Sequence, residues 1–125
     1  MTKVFCSGYL GSNSNKFKAK GRLNARERIA HLLDDDTFRE LGSLSGKGHY
    51  HQDGSFDRLD PTNAIVGTGR IGGRKVALHV DDFTIRAGSS EATIADKWIY
   101  IERLAHQLRM PLVRLVDSAG GSVKL

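Results

Sequence analysis

The amino-acid sequence predicts an α/β fold, and three of its stretches carry that prediction. Val76, Leu78 and Val80 alternate with Lys75, Ala77 and His79, which is the period of a strand. Ile94, Trp98, Ile101, Ala105 and Leu108 recur at spacings of four, three, four and three, which sets them on one stripe of a helix. Residues 112–116 (LVRLV) then form a short apolar run with the length of a buried strand. Two strands joined by a crossover helix pair in parallel, so the last strand is expected beside the strand at 75–80.

The other elements follow in chain order. Residues 1–19 read as loop-like or disordered. Gly8, Gly11, Ser12, Asn13, Ser14 and Asn15 break any periodicity, and the stretch lacks the continuous apolar core of a secretory signal. Residues 20–125 are expected to form part of one α/β domain. Asn24-Ala25-Arg26-Glu27 has the form of a capping box, and Ile29, Leu32 and Leu33 supply one apolar helical face. Asp34-Asp35-Asp36 opposes the negative end of a helix dipole, so the helix is expected to stop near Leu33. Residues 38–41 suit a short strand, and residues 42–61, with Gly, Ser, His and Asp scattered through them, read as a long loop. A strand is expected from Ile65 to Ile71, and Gly72-Gly73 suits a type I′ hairpin turn into the next strand. Residues 81–89 form a loop. Ser89 or Ser90 is expected to cap the long helix, with Glu91 near its positive end and Pro111 beyond its last turn.

Composition narrows the function classes. No apolar run approaches a membrane span, and the single cysteine, Cys6, excludes an internal disulfide framework. The net charge of +5 is unevenly spread. Residues 1–30 hold seven Lys/Arg (3, 16, 18, 20, 22, 26 and 28) against one acid, Glu27; the remainder holds twelve basic and thirteen acidic residues. A basic arm therefore precedes a near-neutral domain, and it suits a partner, a phosphorylated ligand or nucleic acid. No zinc-finger spacing or aromatic-studded basic strand supports nucleic acid.

Several patterns are decoys. Gly67-Thr68-Gly69-Arg70-Ile71-Gly72 matches a dinucleotide-binding fingerprint, yet that fingerprint needs a helix to follow, and here a strand follows. His49, His51 and Asp53 alternate as metal ligands could, but nothing fixes a third or fourth donor. Asp117 and Ser118 lack a placed histidine. More informative is the glycine turn after the last strand. A parallel strand that ends in such a turn aims backbone N–H groups at one spot, where α/β folds bind ligands. The N–H groups of Gly120 and Gly121 are the candidate oxyanion donors, each worth about 2.7–4 kcal/mol to a transition state. Arg86-Ala87-Gly88-Ser89 forms a second candidate turn, and the two together outline a cleft.

Four motifs in register resemble one family. Gly21-Arg22-Leu23-Asn24-Ala25-Arg26-Glu27-Arg28-Ile29 with Leu32-Leu33-Asp34, and Val66 through Arg74 with its glycines, are the first two. Asp82-Phe83-Thr84-Ile85-Arg86-Ala87-Gly88-Ser89, and Met110-Pro111-Leu112 running to Asp117-Ser118-Ala119-Gly120-Gly121, are the others. Together they resemble the carboxyltransferase (beta) subunits of biotin-dependent acyl-CoA carboxylases, of the propionyl-, acetyl- and methylcrotonyl-CoA type. The resemblance implies a crotonase-like (ClpP/crotonase) ββα superhelix, here incomplete, because family members are several times longer. It implies transfer of a carboxyl group from carboxybiotin to the α carbon of an acyl-CoA thioester, through an enolate stabilised by backbone amides.

On that resemblance Gly120 and Gly121 are the oxyanion donors, and Ala87, Gly88, Ser89 and Ala119 lie against substrate. The cofactor is biotin on a separate carrier domain or subunit, the CoA thioester is substrate, and no metal is needed in this segment. The implied partners are acyl-CoA and a biotin carboxylase/biotin carrier subunit, with homo-oligomers at full length, no nucleic acid and no membrane. The cytoplasm or the mitochondrial matrix is the expected location. The basic stretch from Lys18 to Arg28 is a candidate for the CoA phosphates. Two other readings remain: a crotonase-type acyl-CoA hydratase or decarboxylase, and a non-catalytic basic-armed binding or assembly module.

The chain departs from the family pattern at four positions. Ala87 and Ala119 stand where glycine is usual, Gly121 where alanine is usual, and Ser122 where arginine is usual. If either alanine takes a positive φ, it costs about 1–2 kcal/mol.

Overall fold

The computed structural model describes residues 19–89 and 94–120. Cys6, the proposed cap Ser90, Glu91, Gly121 and Ser122 lie outside the described residues, as does nearly all of the loop-like stretch at 1–19.

Helix α1 spans Ala25–Leu32 and begins with the expected capping box. The Glu27 N–H donates to Asn24 Oδ1 at 2.9 Å, and the Asn24 N–H donates to Glu27 Oε2 at 2.9 Å. Strands β1 (Arg39–Leu41), β2 (Gly46–Tyr50), β3 (Phe56–Pro61), β4 (Ala64–Ile71) and β5 (Arg74–Asp81) follow, then helix α2 (Ala95–Gln107) and β6 (Leu112–Leu115). Four strands form one sheet in the order β1-β4-β5-β6. β4 and β5 are antiparallel, and β5 and β6 run parallel with Ala77 opposite Leu112 and Val80 opposite Leu115.

The sheet lies between the two helices, so β5 is buried on both faces. Val76, Leu78 and Val80 join Ile65 and the Ala25, Ile29 and Leu33 face of α1. Ala77 and Val66 meet Ile101 and Ala105 of α2. This two-sided burial explains why alternation along β5 ends in His79, a polar residue only 3% exposed.

The fingerprint-like glycines are packing residues. A Cβ at Gly69 would stand 2.5 Å from a Leu33 methyl, and one at Gly67 would collide with the Arg39 carbonyl oxygen. Gly72 and Gly73 take φ of 55° and 79°, as a type I′ turn requires. Asp34 does more than end α1: its carboxylate receives the N–H groups of Gly72 at 2.9 Å and Gly73 at 2.7 Å. It thereby ties the β4–β5 turn to the helix end.

Four expectations are corrected. Residues 42–61 contain the antiparallel hairpin β2–β3 rather than a continuous loop. Lys47 faces Asp60 and His49 faces Arg58 across it, His49 also reaches Asp60 at 2.8 Å, and its Tyr50–Phe56 pair stays exposed; it buries no apolar face, so no hydrophobic alternation marked it. Helix α2 starts at Ala95 with Ile94 as N-cap and no side-chain capping bond, later than a Ser89 cap would set it. Its buried face is Lys97, Ile101 and Ala105, while Leu108 is 58% exposed because it caps the helix C-terminus. Strand β6 is half-buried rather than buried, since no further described strand pairs with its outer edge. Arg114 leaves that strand to meet Glu102 at 3.2 Å.

Removing the Asp34 carboxylate leaves two turn amides without their acceptor. Asp34→Ala is expected to lower unfolding free energy by about 1–3 kcal/mol, read from the urea midpoint at unchanged m-value.

Candidate functional site

The site is built from two turns at the carboxyl ends of β5 and β6. The first follows β5. Asp82 is 2% exposed, and its Oδ1 accepts from the Thr84 N–H at 2.9 Å and the Thr84 hydroxyl at 2.6 Å. This Asx-type bonding curls the chain out of the strand. The Asp82 N–H donates to the Asn63 carbonyl at 2.7 Å, and the Asn63 side-chain amide donates to the Ser89 carbonyl at 2.7 Å. Asn63, which the sequence reading did not single out, therefore ties both ends of the loop to the start of β4.

Inside the loop a short 3₁₀ turn spans Arg86–Gly88. Arg86, Ala87 and Gly88 take φ of 46°, 52° and 67°, three successive residues in the left-handed region. Two of them carry side chains that disfavour it. The close approach of the other turn accounts for Gly88: a Cβ there would lie 2.6 Å from the Asp117 carbonyl oxygen and 2.9 Å from Ser118 Cα.

The second turn leaves β6 and is stitched to the first. The Ala119 N–H donates to the Ala87 carbonyl at 3.0 Å. The Ser118 hydroxyl donates to the Gly88 carbonyl at 2.7 Å and accepts from the Gly120 N–H at 3.1 Å. The Asp117 N–H donates to Asp81 Oδ2 at 3.2 Å. The predicted residues Ala87, Gly88, Ser89, Ala119 and Gly120 are thus brought together. Gly120 is exposed, with φ of 87° and nothing within 4 Å of where a Cβ would stand. Its N–H belongs to neither a helix nor the sheet ladder. The Ala119 N–H is taken up within the site, and Ala119 does not share the positive φ of Ala87.

The basic stretch is drawn into the same place. Arg22 meets the Asp117 carboxylate at 3.2 Å and lies 5.4 Å from the centre of the Phe83 ring. Arg28 donates to the Asp81 carbonyl at 2.7 Å and stands 3.7 Å from the Asp117 carboxylate. Arg26 pairs with Glu40 at 2.9 Å. These three arginines, expected to face CoA phosphates or solvent, face protein oxygens; Lys20 remains exposed. The Asp82-x-Thr84 spacing was a readable turn signal. The Arg22–Asp117 contact was not, because 95 residues separate its partners.

His79 lies beneath the first turn. Its Nε2 is 3.4 Å from Asp81 Oδ1 without hydrogen-bond geometry, and its ring centre is 5.3 Å from that of Trp98. Burial holds its pKa below the usual 6.5, opposed by Asp81. In the hairpin, His51 faces Asp57 at 3.7 Å, while Asp53 accepts from the Ser55 N–H and hydroxyl. No group of three His, Cys, Asp or Glu among the described residues is placed to hold a metal. No helix among them is long and apolar enough to cross a membrane.

Fold and site together define an α/β scaffold in which two turns meet at parallel strand ends. The family follows from comparison with known proteins. Residues 16–125 match the family model "Carboxyl transferase domain", and the chain belongs to that family. It is 33% identical over 105 residues to the propionyl-CoA carboxylase carboxyltransferase subunit of Haloferax mediterranei, covering 84% of this chain and 20% of that protein. It is 33% identical over 109 residues to methylmalonyl-CoA decarboxylase subunit alpha of Veillonella parvula, covering 87% of this chain and 21% of that protein. The solved transcarboxylase 12S structure with methylmalonyl-coenzyme A and methylmalonic acid bound superposes with a TM-score of 0.76 at 27% identity, covering 95% of this chain and 23% of that one. The chain spans about a fifth of the length of the curated relatives it matches.

Two outcomes are expected. Ala87→Gly relieves left-handed strain and should raise stability by about 0.5–1 kcal/mol, whereas Gly88→Ala should lower it, both read by chemical denaturation. Because folded His79 refuses a proton that the unfolded chain accepts, it lowers stability as pH falls below about 6.5. In His79→Gln the loss of stability with falling pH should be shallower, measured as the urea midpoint across pH 5 to pH 7.5.

Proposed function

We propose that this chain forms the acyl-CoA side of a carboxyltransferase that carboxylates the α carbon of an acyl-CoA thioester. The observation that carries this reading is the pair of turns at the ends of β5 and β6, in a chain of the carboxyl transferase family. The N–H groups of Gly120 and Gly121 hold the thioester oxygen as negative charge builds on it, and open space beside Gly120 suits a close-approaching carbonyl. Ala87, Gly88, Ser89 and Ala119 form the adjoining wall against the thioester and the CoA arm. Biotin on a separate carrier would supply the carboxyl group and the base for the α proton. The main-chain amides then need only stabilise the enolate, and no side-chain base of this chain is required. Incorporation into a ββα superhelix, assembly into oligomers, and partnership with a biotin carboxylase and carrier subunit belong to the same reading. Transcarboxylase 12S, whose structure is described as a hexamer with methylmalonyl-coenzyme A bound, supports it.

A second reading has a specific observation behind it. The similarity to methylmalonyl-CoA decarboxylase subunit alpha suits the same amides, because decarboxylation of a carboxyacyl thioester passes through the same enolate.

Titration of the isotope-labelled chain with short acyl-CoAs is expected to move the amide resonances of residues 86–89 and 117–120, with free CoA moving them less. Grafted in place of the matching segment of the Haloferax mediterranei subunit, residues 16–125 should support labelled carbon dioxide incorporation into an acyl-CoA. Gly120→Pro, which lacks the N–H and cannot keep the φ of 87°, should lower that rate by at least about 10²–10³-fold, and Gly120→Ala, which keeps the N–H, by less. The 125-residue chain alone is expected to give no turnover. Release of carbon dioxide without incorporation would favour the decarboxylase; neither activity with any short acyl-CoA would overturn both readings.

A further inference from the structure

β5 and β6 pair as far as Val80 opposite Leu115, and beyond that point the two chains separate. At the separation Asp81 uses both its side chain and its backbone. Its Oδ2 receives the Asp117 N–H at 3.2 Å, taking over from the ladder. Its carbonyl receives Arg28 at 2.7 Å, and Arg28 together with Arg22 also faces the Asp117 carboxylate. Its Oδ1 faces His79 Nε2 at 3.4 Å. His79 and Asp81 are two residues apart on one strand and therefore share the face toward α2. The His79 side chain is 4% exposed, its Nε2 has no hydrogen-bond partner, and Trp98 packs on its ring. Among the described residues, the Asp81 carboxylate is the group that stands against the Nε2 of this confined imidazole.

We infer that His79 and Asp81 are positioning residues for the turn that presents the Gly120 N–H: Asp81 anchors the turn through Asp117, and His79 fixes the Asp81 carboxylate. The inference rests on the proposed role of that turn, and it adds a second layer to it. The proton on His79 then becomes a signal the turn can read. Besides Asp81, the charges that face His79 are Arg114 of β6 and Glu102 and Lys97 of α2. Protonation strengthens the pull on Asp81 Oδ1 and draws the carboxylate away from the Asp117 N–H.

Amide hydrogen exchange of the isotope-labelled chain tests this without acyl-CoA, so its failure is separate from failure of the carboxyltransferase reading. Asp81→Ala should speed exchange at Asp117 by about tenfold while the Leu78 and Val80 amides in the core of β5 keep their rates. Asp81→Asn retains an acceptor and should stay within about threefold of the parent. His79→Phe keeps the ring packed on Trp98, lacks the nitrogen, and should speed Asp117 exchange severalfold with Leu78 and Val80 unchanged. In the parent chain the Asp117 amide shift should follow the His79 Hε1 titration, and in Asp81→Asn it should not. Unchanged Asp117 exchange in Asp81→Ala overturns the inference. So does equal acceleration at Leu78 and Val80 in both Asp81→Asn and His79→Phe, because that pattern is general loosening. An Asp117 shift indifferent to His79 titration removes the role of His79.

Discussion

Where β5 and β6 part, main-chain ladder bonding gives way to a carboxylate. A parallel pair cannot diverge to make room for a ligand without leaving backbone donors unpaired at the fork. The Asp81 side chain receives the first such donor, the Asp117 N–H; the Ala87 carbonyl receives the Ala119 N–H, and the Ser118 hydroxyl receives the Gly120 N–H while donating to the Gly88 carbonyl. The two turns therefore hold each other across the gap. The placing of Gly120 depends on that mutual hold, since Gly120 is exposed and a Cβ there would meet nothing within 4 Å.

The rest of the fold supports this fork from behind. Leu78 and Val80 are fully buried between the helices and set the direction in which β5 emerges. Helix α1 contributes apolar packing through Ile29 and charge through Arg28, so one element both closes the core and reaches the site. At the far end of β5, Asp34 clasps the Gly72-Gly73 turn and keeps the hairpin in register. A groove of about 380 Å³ lined by Arg39, Arg70, Lys75 and Met110 also lies at that far end, away from the two turns. The proposed chemistry belongs to the carboxyl ends of β5 and β6, where the two turns meet, and not to that groove.

Two of the four described non-glycine residues with positive φ lie at the same place. Arg86 and Ala87 hold left-handed backbone that glycine would adopt freely, and Gly88 is squeezed against Asp117 and Ser118. A glycine at 87 would suit the backbone better, which agrees with the family pattern at that position. Ala119, the other departure, sits in ordinary backbone and carries no such cost. The two substitutions look alike in sequence and differ in consequence, because only one of them falls on a left-handed residue.

Local periodicity and capping chemistry were enough to read α1 with its capping box, the β4–β5 hairpin with its Gly-Gly turn, the crossover by α2 and the parallel β6. Each of these is governed by residues close in sequence, so each leaves a short-range pattern. The β2–β3 hairpin left none, because even its aromatic pair, Tyr50 with Phe56, is exposed and its strands bury no common face. The turns with their glycines were also legible, as was the family from four motifs in register. Tertiary structure alone decided that Arg22 and Arg28 reach Asp117 and Asp81, that Asn63 staples a loop 26 residues away, and that Asp81 joins the fork. Such contacts link groups far apart along the chain, and no spacing rule records them. They come into being only when burial of the β5 core brings the strand ends and the helix together.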